Sequence, residues 1–223
     1  MKEADPRAHA VRGLMTGPAR SEITGLVLAG GRGQRMGGVD KGLQPWRGRP
    51  LVDHALAGLA PQVASLLISA NRNVADYARR GVPVLVDGDG DFDGPLAGIL
   101  AGLRRSTTPW LAVVPCDAPR LPADLVARLA QAIAAAGPGT AGAFVQRREA
   151  ATARWHAEPV CALLSVTLAP AVAAFLAGGG RKVEAFHDRP GIVRAGFERA
   201  GDDAAFANFN RPEELREDAG RPR

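Results

Sequence analysis

Lysine is nearly missing from this chain: Lys2, Lys41 and Lys182 are the only three, and every other basic residue is an arginine. A lysine inside a glycine-rich loop therefore stands out. Cysteine is almost as scarce. Cys116 and Cys161 lie far apart and make no metal-ligand spacing, which excludes a disulfide framework and a zinc site and reads as free thiols of a reducing compartment. A signal-peptide core is missing as well. Residues 1–20 hold no long apolar run, and Glu3 and Asp5 argue against a transit peptide. We expect them to form a mobile extension, with Met15 a candidate start. The uncharged run from Pro159 to Gly180 matches a bilayer in length. Pro159, Pro170 and Gly178-Gly179-Gly180 interrupt it, so it reads as a strand followed by a helix, and a soluble cytoplasmic protein is expected.

The chain has 223 residues and a formal net charge of +5. The excess is not a nucleic-acid footprint. Residues 1–20 carry +2 and residues 216–223 carry +1, leaving +2 for everything between. A duplex binder would show a clustered basic stripe with a recognition element. At 46% hydrophobic and 23% charged, the composition also argues against global disorder.

Short, apolar, β-branched runs occur at Ile23–Ala29, Val63–Ala70, Val82–Val86 and Trp110–Pro115. Helical patterns separate and follow them at Leu51–Leu59, Val74–Arg80, Pro95–Arg105 and Pro122–Ala135, the last opened by its proline. Strands alternating with helices predict an α/β fold: a Rossmann-like, mostly parallel sheet with helices on both faces. The first four strands read as buried on both sides. Past residue 140 the pattern changes. Two adjacent strands (141–146 and 159–166), then a helix over 169–177, suggest a small antiparallel extension in the C-terminal half. We expect one domain over 21–218, made of two halves (21–138 and 139–218), and a short tail at 219–223.

The most informative stretch runs from Leu28 to Gly42, LAGGRGQRMGGVDKG. It leaves the first strand directly, at the edge where open α/β sheets bind ligands. Glycines let backbone N–H groups close on an anion, and Arg35 and Lys41 add positive charge. The design is that of a polyphosphate cradle. It is not the dinucleotide fingerprint, because Met36 stands where glycine is required, nor a Walker loop, because Lys41 precedes Gly42 rather than Ser or Thr. Asp117, in PCDAP after the strand Trp110–Val114, is a natural Mg²⁺ ligand; the alternative is a turn or cap aspartate. Cys116 reads as a packed residue, not a nucleophile.

The loop resembles the signature L-A-G-G-x-x-x-R-M-G-x-x-K of nucleotidyltransferases related to sugar-nucleotide pyrophosphorylases, and within them most closely the molybdenum cofactor guanylyltransferases. The resemblance implies several roles. The loop, Gly31 included, wraps the triphosphate; Arg35 and Lys41 neutralise it; Leu28, Ala29 and Gly30 line base and ribose. Ser69 and Asn71 fall where the family has an Asn-rich turn, although Ser69 replaces a frequent Asn. Asp87 matches a nucleotide-contacting Asp, or is a turn aspartate before Gly88. Gly94, Pro95, Leu96 and Ala97 match the Pro-Leu-Ala-Gly of guanylyl-transferring members. Asp117 would bind Mg²⁺, with Mn²⁺ as a substitute. On the acceptor side, His156 sits in a loosely matching turn ahead of the strand, Arg181 and Lys182 begin a helix, and Asn208 and Asn210 belong to the closing N-x-N-x-P-E-E-L-like string, sharing one face if extended.

The implied reaction is Mg²⁺-dependent transfer of GMP from GTP to molybdenum-molybdopterin, with other cofactor-biosynthesis proteins and recipient molybdoenzymes or their chaperones as partners, and neither nucleic acid nor membrane. A CTP-using relative, a sugar-phosphate nucleotidyltransferase and a non-catalytic nucleotide-binding module are the alternatives.

Overall fold

The strand Ile23–Leu28 (β1) shows why the sheet is covered twice. Ile23 and Val27 join one apolar layer and Leu26 joins the other, all three almost fully buried. Alternation sends successive side chains to opposite faces, so a strand apolar on both parities must be packed on both sides. The computed structural model describes residues 17–29, 39–86 and 94–207. Within them the strands are β1, β2 (Pro45–Trp46), β3 (Arg49–Pro50), β4 (Ser65–Ser69), β5 (Val84–Leu85), β6 (Trp110–Pro115), β7 (Gly142–Arg148), β8 (Trp155–Ser165) and β9 (Ile192–Phe197). The helices are α1 (Leu51–Leu59), α2 (Val74–Ala78), α3 (Pro95–Arg105), α4 (Leu125–Ala136), α5 (Ala169–Ala177), α6 (Val183–His187) and α7 (Asp202–Ala205).

Seven strands form one sheet in the order β5-β4-β1-β6-β8-β7-β9, while β2 and β3 form a small antiparallel ribbon. β5, β4, β1 and β6 are parallel. β8 runs antiparallel to both β6 and β7, and β9 is parallel to β7. The antiparallel part expected after residue 140 is thus a strand set inside the main sheet. α1 and α4 cover one face, where Val52, Leu59, Val126 and Leu129 are buried. α3, α5 and α6 cover the other through Leu96, Ile99, Val172 and Phe186. Among the described residues no helix is long and apolar enough to cross a membrane.

Several expected boundaries move. β5 is a half-buried two-residue edge strand rather than a buried core strand; Pro83 has no N–H to give a ladder, though its carbonyl accepts from Ile68 N–H at 3.0 Å. Pro122 does not open α4. That helix starts at Leu125, whose N–H bonds back to the Pro122 carbonyl. Residues Trp155–Glu158 lie within β8, not ahead of it, paired with Arg148–Val145 of β7. Strand β9 was not expected; its alternating burial, with Arg194 outward and Ala195 and Phe197 inward, is an edge-strand pattern interrupted by Arg194 and Gly196. Lys182 is the N-cap of α6 rather than its first residue.

His187 ends α6 against Phe144, with ring centroids 4.9 Å apart. Neither ring nitrogen has a hydrogen-bond partner among the described residues. Burial, with the Arg189 charge adding, pushes its imidazole down from 6.5 to about 4. Above pH 6.5 the ring is neutral folded or unfolded. Between there and pH 4 only the unfolded chain takes the proton, so stability falls with acidity across that window. Between about pH 7.5 and pH 5 the loss from this residue is about 2 kcal/mol. Urea denaturation of His187→Leu at the two pH values should show a loss smaller than wild type by about that amount.

Candidate active site

Three strand ends meet at one edge of the sheet. Ala29 N–H donates to the Ser69 carbonyl at 2.9 Å, and Cys116 N–H to the Leu28 carbonyl at 3.0 Å. The ladders of β1 with β4 and of β1 with β6 therefore run one residue past the strands. Because β4 and β6 flank β1, chain order reverses here, which in an open α/β sheet opens a crevice beyond the strand ends. The crevice is a cavity of about 380 Å³. Its walls are the ends of β1, β4 and β6, the start of α3 and the middle of β8.

Seven residues singled out from the sequence line it: Leu28, Ala29, Lys41, Ser69, Gly94, Pro95 and Asp117. Others do not. Leu96 is fully buried in the apolar layer beneath α3, and Ala97 and Asn71 are half-buried outside the lining. His156 is on β8 beside Glu149, 3.3 Å from its carboxylate. Arg181 donates to the Leu176 and Gly180 carbonyls at 2.8 and 2.9 Å. Neither they nor Lys182 reach this cavity. Gly30, Gly31, Arg35, Asp87, Asn208 and Asn210 lie outside the described residues. Sequence reasoning missed Gly98, Pro115, Glu158, Pro159 and Val160 and gave Cys116 and Cys161 no part in a site, yet all of them line it. A signal existed for Glu158, a charge set before a proline in an apolar run.

In the wall of this cavity Lys41 meets Asp117. The ammonium donates to Asp117 Oδ2 at 2.5 Å, with both side chains about one-fifth exposed. Asp117 Oδ1 is buried and has no hydrogen-bond partner among the described residues.

Asp40 sets the position of Lys41. It caps the 3-10 turn Lys41–Leu43, accepting from Gly42 N–H at 3.2 Å. Its carboxylate also accepts from the Tyr77 hydroxyl at 2.5 Å and from Asn73 Nδ2 at 2.9 Å. Burial first, then the bond to Asp40, raises the Tyr77 hydroxyl pKa far above its usual range, so it stays a donor. Gly42 is required by space: a Cβ there would lie 2.4 Å from the Tyr77 hydroxyl. Gly98 is tight in the same way, its would-be Cβ 2.5 Å from Ser69 Oγ, which lets α3 close on the end of β4. Gly94, at φ 77°, turns the chain into α3.

Both cysteines are free and buried. Burial pushes the Cys116 thiol well up, with Asp117 adding; Cys161 is pushed up by burial, then by Glu158 and Asp117. Neither supplies a thiolate nucleophile.

A family model for the MobA-like NTP transferase domain matches residues 25–190. The chain belongs to this family. Molybdenum cofactor guanylyltransferase from Cupriavidus necator is 50% identical over 198 residues, covering 89% of this chain and 96% of that protein. The enzyme of the same name from Ralstonia nicotianae is 50% identical over 202 residues, covering 90% and 98%. Among solved structures, the molybdopterin-guanine dinucleotide biosynthesis protein A of Archaeoglobus fulgidus superposes with a TM-score of 0.68 at 20% identity, covering 87% of this chain and 95% of that one. That likeness speaks for the fold. In this member of the family, a cavity at the strand ends holds the Lys41–Asp117 pair.

The Asp40 latch has a measurable consequence. Tyr77→Phe removes a buried bond to a carboxylate and should cost about 1.5–3 kcal/mol in urea denaturation. Gly42→Ala should destabilise the wild type more than it destabilises the Tyr77→Phe background, because the clashing hydroxyl is then gone.

Proposed function

We propose that this chain transfers GMP from GTP to the terminal phosphate of molybdenum-molybdopterin, releasing pyrophosphate and forming molybdopterin guanine dinucleotide. Membership among molybdenum cofactor guanylyltransferases carries the reaction. The observation that supports its chemistry here is the Lys41–Asp117 pair in the wall of the strand-end cavity.

The acceptor's terminal phosphate is largely ionised near neutral pH, so an oxygen of it is already a nucleophile. It attacks the α-phosphorus of GTP, the new P–O bond forms, and the bond to the β-phosphate bridging oxygen breaks with pyrophosphate as leaving group. No general base is needed, and catalysis rests on positioning and charge. Lys41 serves both needs, since an ammonium has three donors and can hold Asp117 while meeting a phosphate oxygen. Arg35 adds a second positive charge from the glycine loop. Leu28, Ala29 and Ser69 form the wall beside the nucleoside, and the start of α3 presents N–H groups nearby.

The residues present suit Mg²⁺. Asp117 Oδ1 is a hard oxygen donor, buried and without a hydrogen-bond partner. No group of three or more possible ligands occurs among the described residues, and Mg²⁺ takes one or two carboxylates with phosphates and waters for the remainder. Asp117 would hold the ion, which when bound would neutralise charge on the nucleotide phosphates. Both thiols suit a reducing compartment, and we assign the enzyme to the cytoplasm.

Asp117→Ala should lower kcat on the order of 10³-fold while GTP affinity falls far less; near-normal single-turnover transfer would overturn the role of Asp117. Thermal shifts with Mg²⁺ and each of GTP, CTP, UTP and ATP should be largest for GTP, and a clear CTP preference would overturn the guanylyl assignment.

A further inference from the structure

Strand β8 does not run evenly past the cavity. Phe144 of β7 pairs with Ala162, yet the next residue, Val145, pairs with Glu158. One step on β7 is matched by four on β8, so Pro159, Val160 and Cys161 leave that ladder. Pro159 has no ladder N–H to lose. Together with Glu158, these residues form one wall of the cavity. Bulges next to sites re-aim side chains, and this one sets a carboxylate in a wall that is otherwise apolar.

Glu158 is braced from behind. Arg147 Nε donates to Glu158 Oε1 at 2.7 Å, and the same guanidinium pairs with Asp203 in α7. α7 is itself clamped, because Arg128 holds both oxygens of Asp202 at 2.9 and 2.8 Å. The brace uses one oxygen of Glu158. Oε2 has no hydrogen-bond partner among the described residues. The trio of Arg147, Glu158 and Asp203 carries a formal charge of −1, so this wall repels phosphate and accepts N–H donors. Its place matters too. β8 lies on the far side of β6 from β1 and β4. Glu158 therefore stands across Asp117 from the strand ends beside which the nucleoside would lie.

We propose that Glu158 is a specificity residue for the acceptor: Oε2 accepts a hydrogen bond from the amino-keto pyrimidine edge of the pterin, while Arg147 holds Oε1 and fixes the direction. The proposal rests on the guanylyl-transfer reading. It explains why a carboxylate lines a site built for anions, since the pterin edge is where the acceptor offers N–H donors and its phosphate must go instead to Lys41. A glutamine replaces it poorly. With its amide oxygen on Arg147, the NH₂ group would face the pterin donors.

The test is steady-state pyrophosphate release by the full chain, varying molybdenum-molybdopterin at saturating GTP, with GTP affinity measured separately by calorimetry. Glu158→Gln should raise the acceptor KM about tenfold or more and leave the GTP Kd within about twofold. Arg147→Lys keeps the charge but loses the fixed Nε donation, and should raise the acceptor KM by a smaller factor; it stands as the deciding variant if Glu158→Gln does not fold. An acceptor KM unchanged within about twofold overturns the proposal. So does weakened GTP binding with a normal acceptor KM, which would make guanine the partner, and so does an equal loss for both substrates, which would mark a structural role. If the wild type uses CTP instead, the guanylyl reading fails, and the acceptor KM measured with CTP still decides the role of Glu158.

Discussion

Lys41 and Asp117 meet across 76 residues of sequence, and the geometry of the site follows from that contact. Their approach depends on a register. Leu28 pairs with Pro115 in the parallel ladder of β1 and β6, so the segments that follow these strands emerge side by side at one edge. A shift of one residue would turn every side chain of β6 to the other face. Lys41 also needs its own anchor, which Asp40 supplies through Tyr77, Asn73 and the backbone of Gly42. Lys41 is thus tied at one end to α2 and at the other to the end of β6.

The cavity carries little polar equipment. Its described lining is mostly apolar or glycine and proline, with Lys41, Asp117 and Glu158 as its charged members. Two thiols border it, both held protonated by burial and neighbouring carboxylates. The proposed reaction asks for little more, because its nucleophile arrives already ionised and the protein would contribute position, charge and an apolar wall.

The sheet divides labour by strand direction. β4, β1 and β6 run parallel and deliver their ends to the cavity. β8 returns antiparallel beside β6 and can contribute only from its middle, where the bulge at Pro159–Cys161 turns it toward the cavity. The ion pairs behind that bulge tie α7 and β7 to the same wall, which links the end of the described chain to the centre of the site.

The sequence by itself determined the α/β class, the elements α1, α3, α5 and β6 to the residue, and Lys41 and Asp117 beyond the ends of β1 and β6. All of these are local signals: apolar periodicity, a proline at a helix start, glycines in succession. It also carried the family signature. Only the tertiary structure decided that Leu96 belongs to the core while Gly98 borders the cavity, because a helix start exposes whichever positions the sheet leaves uncovered. The same holds for the place of β8 and for the bulge. A polar stretch such as Trp155–Glu158 shows no strand pattern of its own and becomes a strand by pairing with β7. Glu158 enters the site because four residues of β8 are spent against one step of β7, a mismatch that exists only between two paired strands.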